Sequence, residues 1–168
     1  YSGWQKVIIS SDKDFFQLCD AETVVFRPIQ KEIMNSKNIV EKFNIHPNNF
    51  ALARAIVGDI SDNLPGVPGI GLPTVAKRFP FLSEEKSYTL TEVFKHCKKI
   101  ENPLKAHTGI LENKDLIAQN YKMMQLYVPS ISVFGKTQIK YTLENFAPEL
   151  NLTNFRAMSL KDGFPEVN

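Results

Sequence analysis

The sequence predicts an α/β protein in which one strand and a hairpin precede a mostly helical remainder. Three observations support this fold class. An apolar, β-branched run near the start, Val7–Ile9, predicts a buried parallel strand. Two short β-prone segments around a polar turn predict a hairpin, and from Ile39 onwards the apolar residues follow a helical spacing. With 168 residues, the chain is long enough for one domain with its own core.

The first part of the chain contains the predicted sheet. Val7–Ile9 is expected to be a central strand that is covered on both faces. It ends in a polar segment, Ser10–Asp14, and open α/β sheets bind ligands at the carboxyl ends of their strands. Phe15–Leu18 predicts a short helix, and Thr23–Phe26 with Glu32–Met34 predicts the hairpin. Because one central strand cannot form a stable sheet, its flanking strands are expected to lie outside this chain.

Proline and capping signals predict where the helices begin and end. Pro47 suits the first position of a helix, and Gly58 ends or bends that helix. Leu72–Phe79 is a second, short helix, which the proline after it stops. The Thr89–Glu92 segment is a capping box, and Asn113 begins a longer helix.

The composition argues against several classes of protein. Hydrophobic residues make up 43% and charged residues 23% of the chain, as in ordinary globular domains. No apolar run approaches the length of a membrane span, and no secretory signal is recognisable. Cys19 and Cys97 are isolated from each other and from histidine clusters, which predicts buried thiols and not a zinc site or a disulfide. The net charge of +2 neither requires nor excludes a nucleic-acid partner.

Two pairs of aspartates are candidate metal ligands. Asp12 and Asp14 follow the first strand, and the three-residue spacing of Asp59 and Asp62 predicts one face of a helical turn. Each pair taken alone is more often a capping arrangement. If all four carboxylates converge, either protonation or a divalent cation must offset their repulsion. Oxygen ligands suit the hard cations Mg²⁺ and Mn²⁺.

A glycine-rich segment follows the second aspartate pair. Glycines in Gly66–Gly71 permit positive φ and close approach of another molecule, and the segment leads into a helix start, where free N–H groups attract anions. Such a turn can hold a DNA phosphate without reading the base sequence. The alternative is a tight connection between two helices, with Lys77 and Arg78 as a solvated face. The candidate DNA-binding residues are Gly66, Val67, Gly69, Ile70, Gly71, Lys77 and Arg78.

The segments SSDKDFFQL and GDISDNLPGVPGIG resemble those of the 5′-nuclease superfamily. This superfamily includes flap endonucleases, the 5′-nuclease domain of bacterial DNA polymerase I and phage 5′-exonucleases. The resemblance covers Val7–Phe79, and a weaker similarity to the helical region of the phage members covers Asn113–Pro129. It implies the C-terminal part of a PIN-like fold. Segment 1–35 would end the catalytic sheet, 36–82 would form a helix–three-turn–helix element, and 83–168 would be a C-terminal helical region.

The resemblance also implies an activity. It makes Asp12, Asp14, Asp59 and Asp62 members of the catalytic acid cluster that holds Mg²⁺ or Mn²⁺, and it makes Gly66–Gly71 a binding turn for phosphate and K⁺. The implied reaction is hydrolysis of phosphodiesters near 5′ ends or flaps of duplex DNA or RNA–DNA hybrids, in replication or repair. A nuclease of this kind would work in the cytoplasm of a bacterial or phage-infected cell, with no membrane partner.

Members of this superfamily take their remaining acids, and the helical arch that threads the 5′ strand, from an upstream half. We therefore expect this chain to hold half of a metal site. We also expect it to need an N-terminal half, from the same gene or as a separate chain, for activity. Two alternatives remain open: a non-catalytic duplex-DNA-binding module and, more remotely, a PIN-type ribonuclease fragment.

Overall fold

A computed structural model describes residues 3–127, 131–147, 149 and 151–164. The chain divides into two compact units, Tyr1–Pro129 and Ser130–Asn168. None of the helices in these described ranges is both long and apolar enough to cross a membrane. The expected three-part division by function does not follow the boundary between the compact units, and it stays a prediction.

A three-stranded sheet opens the first unit. Its strands are β1 (Lys6–Ile9), β2 (Thr23–Arg27) and β3 (Glu32–Met34), in that spatial order. β1 pairs in parallel with β2, with Val7 opposite Val24, and β2 and β3 form the predicted antiparallel hairpin. A 3-10 helix at Lys13–Leu18 connects the parallel strands and contains the predicted short helix.

Among the described residues, β1 is not the central, doubly covered strand that the sequence predicts, and its neighbour β2 lies within this chain, contrary to the expectation that the flanking strands lie outside it. A further strand on the other side of β1 stays a prediction. β1 lies at the edge of the sheet, because β2 pairs with one side of it only. Its two faces differ: Ile8 packs against the core, whereas Val7 and Ile9 are 54% and 71% exposed. An apolar β-branched run fits any strand with one buried face, so its composition did not distinguish an edge strand from a central one.

Helices and a small second sheet follow. Their elements are α1 (Ser36–Phe43), α2 (Pro47–Val57), β4 (Gly58–Asp59), β5 (Leu64–Pro65), α3 (Leu72–Arg78) and a second 3-10 helix at Pro80–Ser83. Pro47 occupies the first turn of α2 and Gly58 caps its end, as predicted. β4 and β5 form a two-residue antiparallel ladder that the sequence did not indicate.

α2 is the central helix of the first unit, and almost all of its residues are buried. Phe50 of α2 packs edge-on against Phe16 of the first 3-10 helix and Phe43 of α1, with ring centroids 5.4 and 5.5 Å away. Edge-to-face contacts of this kind stabilise a core beyond the area that they bury. They attach the polar segment after β1 firmly to the helix that leads into β4.

Three more helices complete this unit: α4 (Leu90–Lys99), α5 (Lys105–Glu112) and α6 (Lys114–Met124). The predicted capping box begins α4, where Thr89 and Glu92 cap each other's backbone N–H groups. α6 begins directly after Asn113, as predicted, whereas α5 was not foreseen. Residues 128 and 129 of the segment that is similar to the phage members lie outside the described residues.

α6 also supports the centre of the fold. Its buried Asn120 donates from Nδ2 to the carbonyl oxygens of Ala55 in α2, at 3.1 Å, and of Pro65 in β5, at 2.8 Å. Cys19 and Cys97 are both buried and unbridged, as predicted, and burial raises the pKa of each thiol to about 11. In the second unit, the described residues form two helices, α7 (Val133–Asn145) and α8 (Leu152–Lys161).

Candidate active site and DNA-binding turn

Asp12 and Asp14 lie at the carboxyl end of β1, at the start of the first 3-10 helix. Asp12 caps this helix, because its Oδ1 accepts the N–H of Asp14 at 2.8 Å. The capping role considered from the sequence is therefore present for Asp12. Asp14 is partly buried, and burial raises the pKa of its carboxyl group, while the nearby Arg54 opposes this shift.

Asp59 and Asp62 lie in the β4–β5 hairpin, whereas the sequence predicted a helical turn for them. Gly58 has a φ of 75°, which ends α2 and directs the chain into β4. Asp59 Oδ1 accepts from the backbone N–H of Ser61 at 2.9 Å and from its hydroxyl at 2.5 Å. These bonds, together with Arg54, lower the pKa of Asp59 to about 2. Asp59 is therefore ionised at neutral pH.

Arg54 joins the two pairs, and sequence reasoning missed it. Its Nε donates to Asp14 Oδ1 at 2.7 Å, its Nη2 donates to Asp59 Oδ2, and its Nη1 donates to the Gly58 carbonyl at 3.3 Å. The Arg54 side chain is only 9% exposed. The signal in the sequence was an arginine within the otherwise apolar ALARAIV of α2, five residues before Asp59.

The acids surround a polar cavity of about 440 Å³. The residues that line it are Ser11, Asp12, Lys13, Arg54, Asp59, Ser61 and Asp62. Asp14 does not line the cavity, but it accepts a hydrogen bond from Arg54, which does. The structure therefore brings three of the four predicted aspartates to one cavity and links the fourth to them by a guanidinium group.

The donor atoms at this cavity suit a hard divalent cation in type, because carboxylate oxygens are its preferred ligands. Their number falls short. Among the residues that the structure describes, no three acidic, histidine or cysteine side chains lie close enough together to hold a metal ion. The described residues therefore do not by themselves offer a complete set of metal ligands.

The glycine-rich segment packs against the end of α2. A Cβ atom on Gly66 would lie 1.8 Å from the carbonyl oxygen of Val57, and one on Gly58 would lie 2.3 Å from the Gly66 nitrogen. Glycine is required at both positions because the two backbone segments touch. Gly69 has a φ of 74°, which also favours glycine.

The candidate phosphate-binding N–H groups are fewer than the sequence suggested. Val67 and Ile70 are buried side chains, and their N–H groups donate to the carbonyl oxygens of Ile56 and Val67. Within the described part of the chain, the N–H groups of Gly69 and Gly71 make no such backbone hydrogen bond. Those two glycines therefore carry the donors of the turn that remain available.

Lys77 and Arg78 face different sides of α3, because consecutive helical residues point about 100° apart. Lys77 is exposed and lines a second cavity, of about 730 Å³, together with Lys13 and Lys42. Arg78 is half-buried towards α5. The pKa of His107 in α5 is lowered mainly by burial of its imidazole and further by the positive charge of Arg78. The structure therefore does not bring the two cations together as one patch.

No protein-family model matches the chain. Among curated proteins, it is 35% identical over 100 residues to a 5′-3′ exonuclease of Buchnera aphidicola subsp. Schizaphis graminum, covering 60% of this chain and 33% of the relative. It is 26% identical over 125 residues to the 5′-3′ exonuclease of Aquifex aeolicus, covering 74% and 40%. It is 34% identical over 110 residues to DNA polymerase I of Caldicellulosiruptor bescii, covering 62% and 12%. The chain thus spans less than half the length of these relatives.

Solved structures agree with the fold. A mutant of the bacteriophage T5 5′-exonuclease superimposes with a TM-score of 0.57 at 20% identity, over 70% of this chain and 46% of that one. A T5 flap endonuclease, solved as a pseudo-enzyme–product complex with DNA and metal ions, superimposes with a TM-score of 0.56 at 19% identity. The α/β fold expected from the sequence is thereby confirmed. The resemblance to the 5′-nuclease superfamily that the sequence predicts is thereby confirmed, and the chain spans part of the length of these relatives.

Proposed function

We propose that this chain is part of a structure-specific 5′-nuclease, a flap endonuclease or 5′-3′ exonuclease that hydrolyses phosphodiesters near 5′ ends of DNA or RNA–DNA hybrids. The observation that supports this most directly is the polar cavity at which aspartates from two distant segments meet. A protein that only bound DNA would gain nothing from these carboxylates, because they repel phosphate.

The aspartates are the proposed ligands of Mg²⁺ or Mn²⁺. Asp12, Asp59 and Asp62 offer oxygens to the cavity, and Asp14 lies behind Arg54. Since the described residues alone do not complete a metal site, further ligands would come from the part of the relatives that this chain does not span. A bound ion of this kind supplies water activation and neutralises charge on the phosphate.

The glycine turn is the proposed grip on duplex DNA. The N–H groups of Gly69 and Gly71 are donors for one backbone phosphate, and Lys77 adds an exposed cation on the helix that follows. Contacts of this kind hold the duplex in register without selecting a base sequence. The K⁺ implied by the resemblance would bind at the same turn.

A nuclease assay tests this proposal. A labelled duplex with a 5′ flap is incubated with Mg²⁺ and the chain alone, and then with the chain joined to the N-terminal portion encoded with it or supplied as a separate polypeptide. We expect cleavage near the flap junction only in the joined or mixed sample. Efficient cleavage by residues 1–168 alone would contradict the proposal that this chain holds only part of the metal site.

Aspartate variants distinguish a nuclease from a binding module. In the assembled protein, Asp12→Asn and Asp59→Asn should abolish cleavage, by a factor of about 10³ or more, while duplex affinity is kept. If the assembled protein never cleaves and both variants bind duplex more tightly, the chain is a DNA-binding module. Substrates with an RNA 5′ segment, assayed in parallel, show whether RNA–DNA hybrids are also cut.

A further inference from the structure

Arg54 is a buried cation whose partners are two of the proposed metal ligands. Its guanidinium donates through two different nitrogens to Asp14 and Asp59, which come from separate elements. A third nitrogen donates to the Gly58 carbonyl, so the head group is held in place by three contacts. A planar guanidinium with fixed donors is suited to such a bridge, whereas a lysine ammonium would concentrate its charge at one point.

The bridge uses the electron pairs that a metal ion would need. Asp59 Oδ1 already accepts two hydrogen bonds from Ser61, and its Oδ2 accepts from Arg54. Asp14 Oδ1 accepts a hydrogen bond from Arg54 Nε. A carboxylate oxygen has two lone pairs, so Asp59 Oδ1 has none left. A cation that binds Asp59 must therefore share Oδ2 with the guanidinium or displace it.

Charge adds to this competition. Arg54 carries a full positive charge at any pH at which the protein folds, and its side chain is 9% exposed, as against 15% for Asp14 and 20% for Asp59. Like charges repel strongly at a site that is mostly shielded from water. A divalent cation that approaches the same carboxylates would thus meet both an occupied oxygen and a positive neighbour.

We propose that Arg54 is a positioning residue that serves as the internal counter-cation of the two aspartate pairs, and that a divalent cation binds Asp14 and Asp59 only in exchange for its guanidinium. Arg54 keeps the carboxylates of two distant segments in place without metal and sets how tightly metal binds. This inference rests on the proposed role of the four aspartates in metal binding.

Direct measurement of Mn²⁺ binding tests the exchange. Free Mn²⁺ is followed by electron paramagnetic resonance during titration of the chain and of its Arg54→Met variant, which keeps the length of the side chain but not its charge. We expect the variant to bind Mn²⁺ at least about tenfold more tightly than the original chain. Equal or weaker binding by the variant would show that Arg54 does not compete with the ion.

Arg27 provides a matched control. Its side chain is also 9% exposed and pairs with a carboxylate, Glu32, at 2.5 Å, but it has no bond to any of the four aspartates among the described residues. Arg27→Met should lower stability and leave Mn²⁺ affinity unchanged. An equal gain of Mn²⁺ binding in both variants would mean that any lost buried cation has this effect, and the exchange at Arg54 would be refuted.

Two further variants cover the remaining outcomes. If circular dichroism shows that Arg54→Met does not fold, Arg54→Lys is measured instead. Lysine reaches one carboxylate, so we expect a gain in Mn²⁺ affinity of about threefold, and no gain in the folded variant refutes the exchange. Adding Asp59→Asn to the Arg54 variant should remove the gain, since the gained ion binds there.

Failure of this inference is distinguishable from failure of the proposed function. If Arg54→Met gains no Mn²⁺ binding but Asp12→Asn and Asp59→Asn still abolish cleavage by the assembled nuclease, only the counter-cation role is wrong. If those two aspartate variants leave cleavage intact, the metal-binding role of the aspartates is wrong, and the inference fails with it.

Discussion

Replacing Gly66 by alanine should disrupt the packing of the proposed DNA-binding turn against the end of α2. The added Cβ would lie 1.8 Å from the Val57 carbonyl oxygen and 2.1 Å from its carbon, both of them backbone atoms at the end of α2. An ordinary contact between carbon and oxygen is about 3.3 Å, so the two segments would have to move apart by roughly 1.5 Å. No side-chain rotation can relieve a clash between backbone atoms.

This displacement has a cost that follows from the bonds it breaks. The Val67 N–H donates to the Ile56 carbonyl at 2.9 Å, and the β4–β5 ladder pairs Gly58 with Pro65 directly beside the clash. Losing about two buried backbone hydrogen bonds at about 1–1.5 kcal/mol each, with about 1 kcal/mol of residual strain, gives a loss of about 3–4 kcal/mol in the free energy of unfolding.

Urea unfolding followed by circular dichroism measures this loss, and fluorescence anisotropy with a labelled duplex measures the expected weakening of DNA binding. Two other glycines of the turn serve as controls. A Cβ on Gly71 would lie 3.6 Å from the Pro73 Cδ atom, an ordinary contact, so Gly71→Ala should change stability by no more than about 0.5 kcal/mol. Gly69 has open space but a φ of 74°, so Gly69→Ala should cost about 1–2 kcal/mol. If the free energy of unfolding of Gly66→Ala lies within about 1 kcal/mol of that of the original chain, close backbone contact does not require glycine at this position.

Three further predictions concern charge and buried polar contacts. The pKa of Asp59 is lowered from 3.8 to about 2, so its contribution to stability is present above about pH 4 and is lost as the pH falls towards 2. Unfolding midpoints measured across this acid range should show the loss, and the Asp59→Asn variant should lack this pH dependence. Lys77→Ala should reduce the slope of log affinity for duplex against log salt by about 1, whereas an unchanged slope would mean that Lys77 contacts no phosphate. Asn120→Ala leaves the buried Ala55 carbonyl and the partly buried Pro65 carbonyl without their donor and should cost about 2–4 kcal/mol in urea unfolding, and a loss below about 1 kcal/mol would show that water replaces the amide.

Short-range signals were sufficient for most of the secondary structure. Pro47 at the start of α2, the Thr89 capping box of α4 and the hairpin of β2 and β3 were all predicted, and each depends on residues within a few positions of one another. α5 was missed, and Asp59 and Asp62 were assigned to a helical turn although they lie in a hairpin. A spacing of three residues fits both kinds of turn, and it is the packing of Gly58 against Gly66 that selects the hairpin.

The chemical character of the candidate site was already present in the order of the residues: two aspartate pairs, a glycine-rich turn and a cation on the following helix. Folding decided how these parts meet. Arg54 is 40 positions from Asp14, and no periodicity or local motif links two residues at that distance. α2 is buried on nearly all sides, and a buried charge without a partner would destabilise the folded protein. The one arginine of this helix therefore pairs with carboxylates inside the fold. That pairing converts two separate capping turns into one site.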